Sequence, residues 1–349
     1  MAEIVVRDLR REFAAFTAVQ RSSFTVPDGA FFVMLGPSGC GKTTTLRMIA
    51  GLEMPTSGTI TLGGTDVTHR RARARDIAFV FQMFALYPHM TVRQNIAFPL
   101  RAQGMSRTET RARVEEAAAL LQIAPLLDRP SSALSGGDRQ RVALGRAIVR
   151  RPQAFMMDEP LGALDAEFRH HMCQELRALH DRLGATTVYV THDQQEAMSL
   201  ADQVAVMNHG VVEQVGPPQD VYDRPATLFV AGFLGSPPMN LLQATRAPGG
   251  FAIGGTVIAW PGALPDTLVA GIRPEHVMLD DTAPLRAGVV GTEYLGTTQL
   301  ITLDTAAGRV RARMPASHRA SPGDQTGLRL PAGRLSLFDT ATGQAQPHG

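Results

Sequence analysis

Gly36-Pro37-Ser38-Gly39-Cys40-Gly41-Lys42-Thr43 decides how the rest of this 349-residue chain is read. It has the form G-x-x-x-x-G-K-[ST], a phosphate-binding loop when a strand leads into it and a helix leads out. The apolar run Phe31 to Leu35 supplies the strand, and Thr44 to Ala50, with Leu46, Met48 and Ile49, opens the helix. Glycines at 36, 39 and 41 let successive backbone N–H groups turn inward on phosphate oxygens, aided by the positive end of the helix dipole. Lys42 reaches the terminal phosphates of a nucleotide, and the Thr43 hydroxyl offers a ligand to Mg²⁺. Lys42 is also the only lysine among 34 basic side chains. In a sequence that otherwise writes Arg, this position keeps a compact ammonium, which fits a phosphate cradle better than a planar guanidinium.

Composition narrows the field without naming a partner. The length suggests about two domains, and a net charge of +2 argues against a global basic field for nucleic acid or anionic membrane. Cys40 and Cys173 lie far apart, with neither a disulfide framework nor metal-type spacing, which fits a reducing cytosol. Neither a signal-peptide pattern nor an apolar stretch near 18 residues is present, so the chain itself is not expected to cross a membrane.

Outward from the loop, Ile4 to Val6 and Phe24 to Val26 read as short strands flanking a polar, turn-like Arg10 to Ser22. Phe13 and Phe16 within it suit either a base-stacking role or the core. The run Arg70-Arg71-Ala72-Arg73-Ala74-Arg75 lacks interleaved aromatics and reads as a solvated loop rather than a nucleic-acid patch. Ile77 to Phe81 is a buried strand ending at Gln82. The apolar loop Met83-Phe84-Ala85-Leu86-Tyr87-Pro88-His89 either docks a partner or folds back on the core. Helical periodicity over Val92 to Gln103, Arg107 to Leu121 and Arg139 to Arg150 outlines a helical subdomain at about 83–150. Leu134-Ser135-Gly136-Gly137, ahead of the third helix, is a second place where a hydroxyl and backbone N–H groups face outward from a helix start.

Ala154-Phe155-Met156-Met157 is a fully apolar strand running into Asp158-Glu159, a pair suited to a Mg²⁺ ligand and a water-activating base. Thr187 to Thr191 is another strand, and His192 sits at its end; strand ends on one edge of a parallel sheet are where α/β folds assemble ligand sites. An amphipathic helix over Ala166 to Leu183 carries His170 and His171, adjacent and therefore splayed apart as surface groups. Proline-rich punctuation around Gly216-Pro217-Pro218 and Ser236-Pro237-Pro238 precedes short alternating segments such as Arg309 to Met314. The domains are therefore read as 1–235 and 236–349, the second a small all-β barrel or sandwich.

Together these motifs resemble the ATPase subunit of ABC transporters over essentially the whole chain. Gln82 is like the Q-loop glutamine, Leu134 to Gly137 with Arg139-Gln140-Arg141 like the signature, and Asp158-Glu159-Pro160 like the Walker B end. Leu164-Asp165 is like the D-loop and Thr191-His192-Asp193 like the switch histidine. The resemblance implies an α/β P-loop NTPase cassette with a helical subdomain, followed by an OB-like, TOBE-type regulatory domain. It implies ATP and Mg²⁺, with Glu159, His192 and Gln82 catalytic and with Thr43, Gln82 and Asp158 at the metal. Nucleotide contacts would come from Phe13, Gly36, Pro37, Ser38, Gly39, Cys40, Gly41, Lys42, Thr43, Thr44 and Gln82. Those from Ser135, Gly136, Gly137 and Asp165 would reach across a head-to-tail dimer with a second copy.

A narrower resemblance, to carbohydrate importers of the maltose, trehalose and glycerol-3-phosphate type, rests on Arg224-Pro225-Ala226 and four longer stretches. The four are Ala85 to His89, Phe229-Val230-Ala231-Gly232-Phe233, Gly235 to Asn240 and Gly271-Ile272-Arg273-Pro274-Glu275-His276. That group implies two integral membrane permease subunits, an extracytoplasmic solute-binding protein and a place at the cytoplasmic face of the membrane. A cassette for another solute (polyamine, iron or osmolyte) and a binding-only cassette are the alternatives. A nucleic-acid-directed ABC protein would carry tandem cassettes or coiled coils, so no nucleic-acid partner is expected. Three departures from the pattern stand out: Asp138 replaces the usual signature glutamine, the A-loop aromatic is Phe13, and Gln82 is followed by Met83-Phe84.

The single lysine makes the loop chemically addressable. With the lower-pKa N-terminal amine blocked first, acylation should remove the charge that Lys42 offers to phosphates. ATPase activity should then fall in step with modification of one peptide, with MgATP protecting and AMP protecting poorly. Stoichiometric acylation of Lys42, established by mass spectrometry, with activity retained would exclude its phosphate role.

Overall fold

The computed structural model describes residues 2–162, 165–262 and 264–347. Its chain divides by contacts into two compact units, Met1–Pro218 and Gln219–Gly349. The first unit is built on β1 (Ile4–Phe13), β2 (Phe16–Val26), β3 (Phe31–Leu35), α1 (Lys42–Ala50), β4 (Ser57–Leu62), β5 (Thr65–Asp66) and β6 (Ile77–Val80). Then come α2 (Val92–Ala102), α3 (Arg107–Leu120), α4 (Gly136–Ile148), β7 (Ala154–Asp158), α5 (Ala166–Leu183), β8 (Thr186–Thr191), α6 (Gln194–Leu200), β9 (Gln203–Asn208) and β10 (Val211–Gly216). Among the described residues these strands form one sheet in the order β5-β4-β1-β2-β10-β9-β3-β8-β7-β6.

Within it, β9, β3, β8, β7 and β6 run parallel. Every residue of β3, β7 and β8 is buried, as a parallel sheet covered on both faces requires. Register then aligns their C-terminal ends. Leu35 pairs with Thr191, Asp158 with Val190 and Val80 with Met157. The loop 36–43, His192, Asp158-Glu159 and Gln82 therefore leave the sheet side by side.

The segment expected as a turn, Arg10 to Ser22, is instead most of an antiparallel hairpin that reverses between Phe13 and Phe16. Its polar composition misled because only one face is covered: Leu9, Val19 and Ser22 are buried, while the opposite face is charged. On that outer side Arg21 pairs with Asp8 at 2.6 Å, whereas Arg11, opposite the buried Val19, pairs half-buried with Glu53 at 2.6 Å.

The solvated-loop reading of the arginine run fails for Arg75, which is 1 % exposed. Its guanidinium donates to the carbonyls of Met48 and Ile49 at 2.7 and 2.8 Å, of Arg70 at 2.7 Å and of Thr68 at 2.9 Å. Two of those carbonyls end α1, where the helix dipole is negative and the last C=O groups lack partners. Burial pulls the Arg75 guanidinium down to about 10, still charged at neutral pH.

Helices α2, α3 and α4 pack together as the helical subdomain. Thr91 and Gln94 form a reciprocal capping box at the start of α2, and Ser106 caps α3, so each boundary is set by a local hydrogen bond. Helix α4 begins at Gly136, three residues before the periodicity suggested, because Ser135 caps it.

The second unit contains α7 (Pro218–Asp223), α8 (Leu228–Phe233) and two five-stranded sheets. One sheet is ordered Thr256–Ala259, Gly250–Ile253, Asn240–Ala247, Thr267–Ile272, Leu335–Asp339. The other is ordered Met278–Leu279, Gln325–Arg329, Leu285–Tyr294, Thr298–Thr305, Gly308–Pro315. Leu242, Phe251, Ile301, Leu303 and Leu337 lie in their shared core.

The contact boundary falls earlier than the 235/236 division read from the prolines. Pro218 starts a helix rather than a linker, and Ala231 of α8 packs with Met239 and Phe338. Arg273 of the Gly-Ile-Arg-Pro-Glu motif is buried over the Tyr222 ring and donates to the Tyr222 and Leu234 carbonyls.

Replacing Arg75 by Met should keep the volume and leave the Ile49, Thr68 and Arg70 carbonyls without that donor, while the Met48 carbonyl keeps the Gly51 N–H. Unmade buried hydrogen bonds cost about 1–3 kcal/mol each before water relieves some of them, so a loss of about 2–4 kcal/mol is expected. Urea unfolding checks this; an unchanged midpoint would mean that water satisfies those carbonyls.

Candidate active site

At the shared strand edge, the loop from Gly36 to Thr43 curls into α1. Gly41 has φ of 105°, and a Cβ there would lie 2.5 Å from the Ala18 carbonyl oxygen, so no side chain fits. Lys42, the first residue of α1, is 5 % exposed. Its Nζ donates to the Gly36 and Pro37 carbonyls at 2.7 and 2.8 Å, which bends the ammonium back across its own loop. Cys40 is buried against it, Sγ 3.8 Å from Nζ; burial pushes the thiol up and the Lys42 charge opposes that. Ser38 and Gly39 are exposed and Thr44 half-buried, so the outer rim of the loop faces solvent.

Thr43 and Asp158 come together from α1 and β7. The Thr43 hydroxyl donates to Asp158 Oδ1 at 2.8 Å. Burial raises the proton affinity of Asp158, while the Thr43 hydrogen bond and the Arg47 and Lys42 charges lower it. A hydroxyl and a carboxylate converging beside a phosphate loop are the hard oxygen donors that Mg²⁺ takes.

Glu159 follows with a left-handed backbone, φ 44°, an uncommon conformation for a non-glycine residue. Its N–H is fixed by the Val190 carbonyl at 3.0 Å, so the turn that ends β7 is tied to β8. The carboxylate then meets two predicted partners: His192 Nδ1 lies 3.2 Å from Glu159 Oε2, and Gln82 Nε2 donates to the same oxygen at 3.5 Å. Gln82 therefore reaches Glu159 rather than the Thr43–Asp158 pair with which it was grouped as a metal ligand.

Other expected residues stand on separate elements. Phe13, at the tip of the β1–β2 hairpin, stacks on Phe16 with ring centres 5.3 Å apart, and the Arg11 guanidinium lies 4.5 Å above its ring. Ser135, Gly136 and Gly137 make the first turn of α4. There the Ser135 hydroxyl donates to Asp138 Oδ2 at 2.7 Å and accepts from the Asp138 N–H at 3.2 Å. Arg141 approaches Asp138 at 3.8 Å, while its principal partner is Glu175 at 2.8 Å. A Cβ at Gly137 would lie 2.2 Å from the Phe168 ring, so α5 packs on the bare signature backbone. Asp165 caps α5, accepting from the Phe168 N–H at 2.9 Å; Leu164 lies outside the described residues.

Sequence reading missed Arg146. From α4 it donates to the Phe84 and Ala85 carbonyls at 2.8 and 2.6 Å. These two residues both have positive φ, so the loop after Gln82 is held in an unusual shape from the signature helix. A lone charge among Val142, Ala143, Leu144 and Ala147 was the available signal. Met83 remains 80 % exposed. Beside the loop, a cavity of about 260 Å³ is lined by Phe79, Phe81, Tyr87, Phe98 and Arg146.

Comparison with known proteins agrees with this geometry. Residues 19–162 match the ABC transporter model, 235–277 the MalK OB fold domain and 270–338 the TOBE domain. The chain is 47 % identical over 347 residues to the sn-glycerol-3-phosphate import ATP-binding protein UgpC of Ruegeria pomeroyi, covering 99 % of each chain. It is 45 % identical to the trehalose/maltose import ATP-binding protein MalK of Thermococcus litoralis, over 99 % of this chain and all of that one (100 %). To the trehalose import ATP-binding protein SugC of Mycobacterium tuberculosis it is 43 % identical, over 98 % of each. Among solved structures, cbiO1 from Clostridium perfringens, part of the ABC transporter complex cbiONQ, superposes with a TM-score of 0.59. That match has 28 % identity and covers 62 % of this chain and 89 % of the other. A phosphate loop, a strand-end carboxylate pair and a histidine on one sheet edge, with relatives matching from end to end, lead to one assignment: the chain belongs to the ABC transporter ATP-binding proteins and is an ATPase coupled to transport.

Proposed function

We propose that this ATPase powers import of a sugar or sugar-phosphate-like solute, working as a head-to-tail pair of copies beneath two integral membrane permease subunits at the cytoplasmic face. An extracytoplasmic solute-binding protein would deliver the solute. The observation that carries the catalytic reading is the convergence of Lys42, the Thr43–Asp158 pair and the Glu159–His192 pair on one sheet edge. Relatives named for import of sn-glycerol-3-phosphate, trehalose and maltose support the solute class. No helix among the described residues is long and apolar enough to cross a membrane; the two permease subunits would carry the solute. The exposed Met83 and the Arg146-braced loop support a permease socket there.

In this reading Lys42 exchanges the Gly36 and Pro37 carbonyls for β- and γ-phosphate oxygens, and the N–H groups of residues 39–44 surround the phosphates. Phe13 stacks on the base. Thr43 and Asp158 would hold Mg²⁺, which would supply neutralisation of the negative charge on the β- and γ-phosphates. Glu159 orients and polarises the attacking water. His192 and Gln82, both on Glu159 Oε2, hold that carboxylate in place and sense the γ-phosphate. Ser135, Gly136, Gly137 and Asp165 would meet the nucleotide of the partner copy.

Because catalysis in such sites is mostly positioning and charge stabilisation, Glu159→Gln should bind ATP and accumulate as a dimer on gel filtration with ATP while hydrolysis falls by about 10²-fold or more. Hydrolysis at the wild-type rate would remove Glu159 from this role.

Asp138 sets a second expectation. Its carboxylate occupies the Ser135 hydroxyl and, in the pair, would lie near the partner's phosphates with Arg141 only a distant counter-charge. Like charges in a dehydrated interface cost up to several kcal/mol. Asp138→Gln should therefore tighten ATP-dependent dimerisation, read by light scattering, and leave nucleotide affinity of the single copy unchanged. An unchanged or weaker dimer would show that Asp138 is already neutralised.

A further inference from the structure

His192 is held by a buried polar cluster that the mechanism above does not use. We propose that Arg169 and Glu196 are positioning residues that fix His192 against Glu159, pinning the β8–α6 connection to helix α5; this rests on the reading of His192 as the group beside the γ-phosphate.

The cluster is continuous. Glu196, on α6, is 4 % exposed, and its Oε2 accepts from the Tyr189 hydroxyl at 2.8 Å and the Thr191 hydroxyl at 2.6 Å. Thr191 Oγ1 in turn accepts from the Asp193 N–H at 3.0 Å. Asp193 Oδ1 caps α6, accepting from the Gln195 and Glu196 N–H groups at 2.7 and 3.2 Å. The residues on either side of His192 are therefore both anchored, one to Glu196 and the other to the start of α6.

Arg169 closes the cluster from another element. Its Nη1 donates to Asp193 Oδ2 at 3.0 Å, and its Nε lies 3.6 Å from Glu196 Oε1. One guanidinium on α5 thus spans Asp193, beside His192, and Glu196, which holds Thr191 on its other side. Burial pushes the Glu196 carboxyl and the Tyr189 hydroxyl up; Arg169 and the two hydroxyls oppose that at Glu196.

A buried charged cluster is a poor source of stability, since apolar residues of equal volume often serve as well. What it supplies here is direction. The ring of His192 is half exposed and meets Glu159 Oε2 at 3.2 Å, so the anchors of its neighbours Thr191 and Asp193 set where it stands when solvent or phosphate competes. A displacement of about 1 Å in a catalytic group can cost on the order of 10²-fold in rate.

The test measures ATP hydrolysis by the full chain, with single-turnover assays where rates are low. Arg169→Ala should lower kcat about tenfold and leave KM for ATP within about twofold, because the groups that bind phosphate are untouched. In a His192→Ala background the same change should alter the single-turnover rate less than about twofold, since Arg169 acts only through the missing ring. Asp193→Asn, which keeps the helix cap and loses the charge, should behave as Arg169→Ala does and serves if the latter does not fold. An Arg169 or Asp193 effect equally large with and without His192 overturns the positioning role. If His192→Ala itself hydrolyses ATP at the wild-type rate, the reading of His192 falls and this proposal with it.

Discussion

Strands β3, β8 and β7 are buried and end in register with β6. A parallel sheet covered by helices on both sides tolerates a hydrogen-bonded hydroxyl such as that of Tyr189 but not unpaired charge along its strands, so its ionic chemistry is pushed to the strand ends. Leu35, Thr191, Asp158 and Val80 mark that edge. Everything polar that follows them is brought within reach without any loop having to travel far. The Thr43–Asp158 and Glu159–His192 contacts are consequences of this alignment rather than independent inventions.

Single arginines do much of the bracing around that edge. Arg75 takes the carbonyls at the end of α1, so the helix that begins with Lys42 is fixed at its far end as well. Arg146 holds the two positive-φ residues after Gln82 from α4, and Arg169 ties α5 to the connection carrying His192. In each case a planar group with several donors meets two or more acceptors elsewhere in the chain, which an ammonium cannot do as well. A chain with one lysine has therefore divided its cations by geometry: the fork for bracing and the point charge for phosphate.

The second unit follows a different logic. Its two five-stranded sheets enclose a core of aliphatic side chains with Phe251, and alternation along each strand suffices to specify it. Arg273, over Tyr222 and bonded to backbone carbonyls, joins the helices α7 and α8 to those sheets. The contact boundary lies at the start of α7, where Pro218 opens a helix, and Ser236-Pro237-Pro238 is a turn inside the second unit.

Much of this was legible from the sequence because the informative residues are local in chain. The loop 36–43 with its flanking strand and helix, Asp158-Glu159 after four apolar residues, and His192 after an apolar strand each carry their meaning within a dozen positions. Periodicity likewise outlined α2, α3 and α5. Tertiary structure alone decided whatever depends on one-sided burial or on acceptors from distant segments. The stretch Arg10 to Ser22 looks like a turn because half of a hairpin face is charged; Arg75 looks solvated because its partners are backbone carbonyls with no sequence signal; and Glu196, Arg169 and Phe168 look like ordinary helix residues until α5, α6 and the signature turn are packed together. Residue identity sets which chemistry is possible, and only the packed sheet edge determines which groups share a hydrogen bond.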